Sequence, residues 1–97
     1  MTSSLSTHVL DTAVGRPAEG IRVELYRDGE LVASDDTNAD GRISALAVDI
    51  EPGSYELVFH PLSPFFQRVA LEIVLEGGHH HVPLLVSPYG CATYRGS

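Results

Sequence analysis

Apolar residues recur along this chain mainly at every second position, and clusters of Gly, Pro, Asn and Asp cut them into short runs. That spacing sends successive side chains to opposite faces of an extended strand, so the pattern predicts strands joined by turns. Leu5 to Thr12 makes a first strand, and the segment from Val14 to Gly20 that follows is punctuated as a loop by Gly15, Pro17 and Gly20. Ile21, Val23 and Leu25 then alternate with Arg22, Glu24 and Tyr26 as a half-buried strand. Asp28-Gly29 predicts a tight hairpin into Glu30–Asp36, because both residues tolerate the positive φ such a turn demands.

Thr37-Asn38-Ala39-Asp40-Gly41 reads as a turn that delivers Arg42 to the start of the next extended run. The only helix-permissive stretch is around Ile43–Ile50, and the β-branched Val48 and Ile50 count against a helix there. Beyond the turn at Glu51-Pro52-Gly53-Ser54, Tyr55, Leu57 and Phe59 alternate with Glu56, Val58 and His60. A compact Pro61–Pro64 connection leads to Phe65, and Val69, Leu71, Ile73 and Leu75 then mark a strand ended by Gly77-Gly78. His79 to Ser87 is the next strand, and Ser87-Pro88-Tyr89-Gly90 turns it into a terminal strand that carries Tyr94-Arg95-Gly96-Ser97. Seven to eight short strands with frequent turns predict an all-β fold, a two-sheet β-sandwich closing one core over residues 1–97 as one domain.

Composition narrows the partners. The chain has 97 residues and a formal net charge of −7, which argues against nucleic acid, since a phosphate backbone is bound through clusters of Lys and Arg. Cys91 is the single cysteine, so no intramolecular disulfide can form, and the expected compartment is reducing: the cytoplasm. Met1-Thr2-Ser3-Ser4 lacks the basic and apolar regions of a leader, and no apolar run reaches the length of a membrane span.

The candidate chemistry lies in four places. In His79-His80-His81-Val82-Pro83-Leu84-Leu85-Val86, strand alternation puts His80, Val82, Leu84 and Val86 on the core side and presents His79 and His81 on the other. Two imidazoles fixed on a rigid element suit proton transfer; with His8 as a third ligand they also suit Zn²⁺, although no established ligand spacing supports it, and a solvated run without a task is the plain alternative. Taken alone, His8 reads as a partly buried core histidine and Arg42 as a solvated arginine after a turn. The C-terminal Tyr94-Arg95-Gly96-Ser97 gathers a phenol, a guanidinium, a glycine and a hydroxyl beside the terminal carboxylate.

Taken together, Leu5-Ser6-Thr7-His8-Val9-Leu10-Asp11 with Gly15-Arg16-Pro17-Ala18, Thr37-Asn38-Ala39-Asp40-Gly41-Arg42, His79-His80-His81-Val82-Pro83-Leu84-Leu85, Ser87-Pro88-Tyr89-Gly90 and Tyr94-Arg95-Gly96-Ser97 resemble the 5-hydroxyisourate hydrolase family of transthyretin-like enzymes. The resemblance spans nearly the whole chain and keeps the motifs in family order. It implies a transthyretin-type sandwich, assembly as a homotetramer with sites at subunit interfaces, and hydrolytic ring opening of 5-hydroxyisourate to OHCU, a ureido-imidazoline carboxylate, in urate degradation. Position by position it implies His8, Arg42, His81 and Ser97 as catalytic residues, with His8, Arg42 and Tyr94 on the substrate and His79, Arg95 and Gly96 in support. No cofactor and no metal are implied.

The chain departs from the family pattern at His80, at Cys91-Ala92 and at Gln67-Arg68, and its connection from His60 to Phe65 is shorter than usual, so the family's one short helix is expected to be shortened or missing. None of these changes falls on a matched catalytic position. The expected mechanism is direct water attack, with His81 or His8 as general base and Arg42 stabilising the developing charge. The rival reading is a non-catalytic transthyretin-like carrier of a small ligand. A structural sandwich module is a third, which leaves the polar constellation without a task.

Overall fold

The computed structural model describes residues 1–96 and is built entirely of strands and turns. In chain order the strands are β1 (Ser3–Asp11), β2 (Arg16–Pro17), β3 (Arg22–Arg27), β4 (Glu30–Asp36), β5 (Arg42–Ile50), β6 (Gly53–His60), β7 (Val69–Leu75), β8 (Gly78–Val86) and β9 (Cys91–Thr93). One sheet runs β2-β1-β8-β9, with β5 also paired to β1, and the other runs β4-β3-β6-β7.

β1 is the organising strand of the first sheet. One of its edges is shared by β5, opposite Ser3–His8, and by the short β2, opposite Leu10 and Asp11; its other edge pairs with β8 in parallel along its whole length. The Thr7 hydroxyl, sealed in the core, donates to the Val82 carbonyl at 2.6 Å and ties the two parallel strands together. The expected hairpin at Asp28-Gly29 forms with φ of +52° and +79°, the left-handed pair that matches strand twist.

The inner faces of the sheets meet in one core: Leu5 and Val9 from β1, Val23 and Leu25 from β3, Leu57 and Phe59 from β6 and Leu84 from β8 are fully buried. Each such side chain contributes about 1.5–3 kcal/mol of burial. Because that core claims only one face of the first sheet, the other face is left for polar residues.

Residues 43–50 are strand, as the extended run from Arg42 and the β-branched Val48 and Ile50 led one to expect, with two register shifts against β1. The structure departs from the sequence reading at two points. The last strand is only Cys91–Thr93, so Tyr94 and Arg95 lie beyond it and the chain returns to the sheet through a single bridge between His81 and Gly96. Arg16–Pro17, read as loop, forms a two-residue strand. Between β6 and β7 there is no helix; the Ser63 hydroxyl accepts from the Phe65 and Phe66 amides at 3.1 and 3.0 Å and donates to the Pro88 carbonyl at 2.9 Å, which holds this connection as a tight turn.

Candidate active site

The outer face of the first sheet collects the predicted residues from three strands. Ser4, Ser6 and His8 share one face of β1, since Leu5, Thr7 and Val9 point into the core. Parallel pairing sets Ser4 beside His79 and Ser6 beside His81 on β8, and antiparallel pairing sets His8 beside Arg42 on β5. Residues far apart in sequence thus become near neighbours on one rigid surface.

His81 and His79 are joined through a serine. The Ser6 hydroxyl lies 2.8 Å from His81 Nδ1 and 2.8 Å from His79 Nε2, and the Ser4 hydroxyl lies 2.7 Å from His79 Nδ1. Ser6 is buried beneath the two rings, whereas His79 is exposed and His81 half-buried. With Nδ1 engaged, His81 keeps Nε2 for chemistry. His80 points inward as its alternation requires, with Nε2 2.7 Å from the Glu76 carbonyl oxygen.

His8 Nε2 is shut off from solvent and has no hydrogen-bond partner among the described residues. A buried nitrogen left this way costs about 1–3 kcal/mol. Such a cost is expected where a polar group is kept for a ligand.

Arg42 is carried to this face by a constrained turn. Asn38 Oδ1 accepts from the Asp40 and Arg42 amides at 2.9 and 3.0 Å, and the Gly41 amide donates to the Asn38 carbonyl at 2.9 Å. Gly41 has φ of +71°, and a Cβ there would stand 2.5 Å from the Val9 carbonyl oxygen, so only glycine lets the turn press against β1. The Val9 amide bonds the Gly41 carbonyl at 2.7 Å, fixing the backbone one residue before Arg42.

The C-terminal segment reaches the same strand. The Gly96 amide donates to the His81 carbonyl at 2.7 Å, and a Cβ on Gly96 would fall 2.8 Å from His81 Cδ2 and 3.0 Å from its carbonyl oxygen. Gly96→Ala is therefore expected to leave the melting temperature nearly unchanged, because the tail adds little to the core, yet to reduce turnover on the order of 10²-fold by displacing the ring. Parallel thermal and kinetic measurements check this. Tyr94 and Arg95 are exposed and line a hollow with Leu71, Ile73, Val82 and Thr93, a different grouping from His8, Arg42 and His81. Ser97, the fourth expected catalytic residue, lies outside the described residues.

Burial first, and then the positive charge of Arg42 and the neighbouring His8 and His79, hold His81 below the usual histidine range. A half-buried imidazole that stays neutral at pH 7, with one ring nitrogen fixed and the other available beside a guanidinium, is equipped to take a proton from water. Among the described residues no three His, Cys, Asp or Glu side chains are grouped as a metal site; the zinc reading had called on His8, His79 and His81, and Ser6 stands between the last two. Sequence reasoning missed Ser4 and Ser6, whose only signal was their alternation with Leu5 and Thr7 on the strand of His8. A hollow of about 760 Å³ against Tyr26, Glu56 and Glu72 lies on the other sheet, so the clustered residues occupy an open sheet face rather than that cavity.

The family model described as HIUase/Transthyretin matches residues 5–96, and the chain belongs to that family. Within it, the chain is 44% identical to 5-hydroxyisourate hydrolase 2 of Rhizobium meliloti over 114 aligned positions, covering 96% of this chain and 95% of the relative. The structure of Klebsiella pneumoniae 5-hydroxyisourate hydrolase superposes with a TM-score of 0.90 at 40% identity, covering 98% of this chain and 99% of that one. Sea bream transthyretin in complex with thyroxine shares the fold, with a TM-score of 0.85 at 24% identity over 95% of this chain and 93% of that one.

Proposed function

We propose that this protein is a 5-hydroxyisourate hydrolase, opening the six-membered ring of 5-hydroxyisourate to OHCU in urate degradation, with residues 1–97 acting as one hydrolase domain. The observation that carries the reading is the convergence of His8, Arg42 and His81 on one face of one sheet, in a chain whose relatives carry that activity by name. Hydrolysis places a water oxygen on the ring carbonyl carbon, breaks the ring C–N bond and puts a proton on the departing nitrogen. His81 Nε2 takes the proton from the attacking water. The Arg42 guanidinium binds the carbonyl oxygen as its charge grows, a task for which a planar fork suits better than an ammonium. His8 Nε2, buried and without a partner among the described residues, addresses a substrate heteroatom. Ser97 is the fourth catalytic residue, Tyr94 a substrate contact and Arg95 a supporting residue, and the Gly96 amide ties the tail to β8.

The proposed assembly is a homotetramer whose subunits cover one another's polar faces. Two features support it: the clustered face is open, with Arg42 exposed, and β7 and β9 are edge strands that offer unpaired backbone groups. Covering the face would exclude water and strengthen the electrostatics on which the chemistry relies. The exposed thiol of Cys91 fits the reducing cytoplasm as the site of action. No described helix is long and apolar enough to cross a membrane.

The deciding experiment generates 5-hydroxyisourate fresh with urate oxidase and follows its ultraviolet decay with and without purified protein. Acceleration that survives exhaustive chelation is expected. An unchanged decay would leave the carrier reading in its place, and loss on chelation with zinc-specific rescue would overturn the metal-free mechanism.

A further inference from the structure

We propose that Ser6 is a positioning residue that sets the tautomer of His81, and that it takes its own orientation from His79, so that Ser4, His79, Ser6 and His81 form one directional hydrogen-bond chain. The direction of the chain and the consequence for turnover rest on the hydrolase reading above. A hydroxyl carries a single proton, yet Ser6 Oγ lies 2.8 Å from a ring nitrogen on each side. It cannot donate to both. Its oxygen could accept from both, but the buried hydroxyl proton, with no other acceptor among the described residues, would then go unpaired, and an unsatisfied buried donor is costly. With both imidazoles neutral, the arrangement that pairs every proton has one ring donating into Ser6 and the other accepting from it.

Two directions are then possible. In the first, His81 Nδ1–H donates to Ser6, the Ser6 hydroxyl donates to His79 Nε2, and His79 Nδ1–H donates to Ser4. His81 Nε2 is left with its lone pair and can accept a proton from water. In the second, every bond is reversed, His81 carries its proton on Nε2, and the base is blocked. The hydrolase reading selects the first direction, because only it leaves His81 Nε2 free to act as base. Ser4, part-exposed and 2.7 Å from His79 Nδ1, can then accept at that end while its own proton turns to solvent. The buried Ser6 hydroxyl links that end to the ring beside Arg42 and His8. His79 therefore acts at a distance from substrate, through Ser6.

The test reads the tautomer directly by ¹⁵N NMR of ring-labelled histidine, at a pH where His81 is neutral. Wild-type protein is expected to show His81 protonated on Nδ1. Ser6→Ala is expected to move it to the Nε2–H form and to lower kcat about 10-fold or more with little change in KM, whereas Ser6→Thr, which keeps the hydroxyl, restores both. His79→Ala, at an exposed ring, is expected to shift the His81 tautomer in the same direction with the fold intact, and it serves if Ser6→Ala does not fold. An Nε2–H tautomer in the wild-type protein, or a His81 spectrum unmoved in His79→Ala, would overturn the proposal. The spectra need no substrate, so failure to hydrolyse 5-hydroxyisourate would remove the hydrolase reading and leave the tautomer result standing.

Discussion

His81→Ala is expected to lower kcat/KM for 5-hydroxyisourate by about 10²–10⁴-fold, the range a positioned general base supplies, while the sandwich stays folded. The fold survives because His81 faces away from the core, and Val82 and Leu84, which anchor β8 against the other sheet, are untouched. What the substitution removes locally is one hydrogen bond to Ser6, worth about 1 kcal/mol, and the ring against which Gly96 packs. The measurement is the ultraviolet decay of fresh substrate beside a circular-dichroism melt of the same sample. Near-wild-type turnover in a folded His81→Ala protein would take His81 out of the mechanism and move the base to His8.

That His81 stood out in the sequence at all follows from strand periodicity. Alternation alone separated His79 and His81 from the core set of His80, Val82, Leu84 and Val86, and all four of that set are buried. Asp28-Gly29 and Asn38–Gly41 were equally legible, because turn geometry is local and these residue types serve it directly. Ser6 was not. Its role depends on parallel pairing between β1 and β8, strands separated by most of the chain, and a serine on a strand carries no mark of its distant neighbours. The tail was misread for a related reason: Tyr94 to Gly96 has extended character, but the ladder with β8 runs only from Leu84–Thr93 to Val86–Cys91 before the chain departs and touches back at Gly96. The compact passage from His60 to Phe65 was visible as short, and Ser63 shows how it closes without a helix, by one hydroxyl satisfying two amides and reaching Pro88.

Replacing Arg42 tests the electrostatic half of the site. Arg42→Gln is expected to reduce kcat/KM by about 10²–10³-fold, the usual effect of losing a donor aimed at a developing oxyanion. It should also change the pH profile. His81 is held below the usual value of about 6.5 by burial first and by the Arg42 charge second, so the acid limb of wild-type kcat/KM lies below 6.5. Removing the guanidinium withdraws the second cause only, and the limb moves up towards 6.5 without passing it. Stability follows the same linkage with a definite sign. Because the folded-state pKa of His81 is depressed, the unfolded chain binds its proton first as pH falls, so the stability attached to the neutral ring is full above about 6.5 and is lost between there and the folded pKa. That window narrows in Arg42→Gln. Titration of the His81 ring by NMR, beside rate profiles of both proteins, gives the shift directly. A His81 titration that does not move when the charge is removed would show that Arg42 acts on substrate alone and that burial, with the neighbouring His8 and His79, keeps the base neutral.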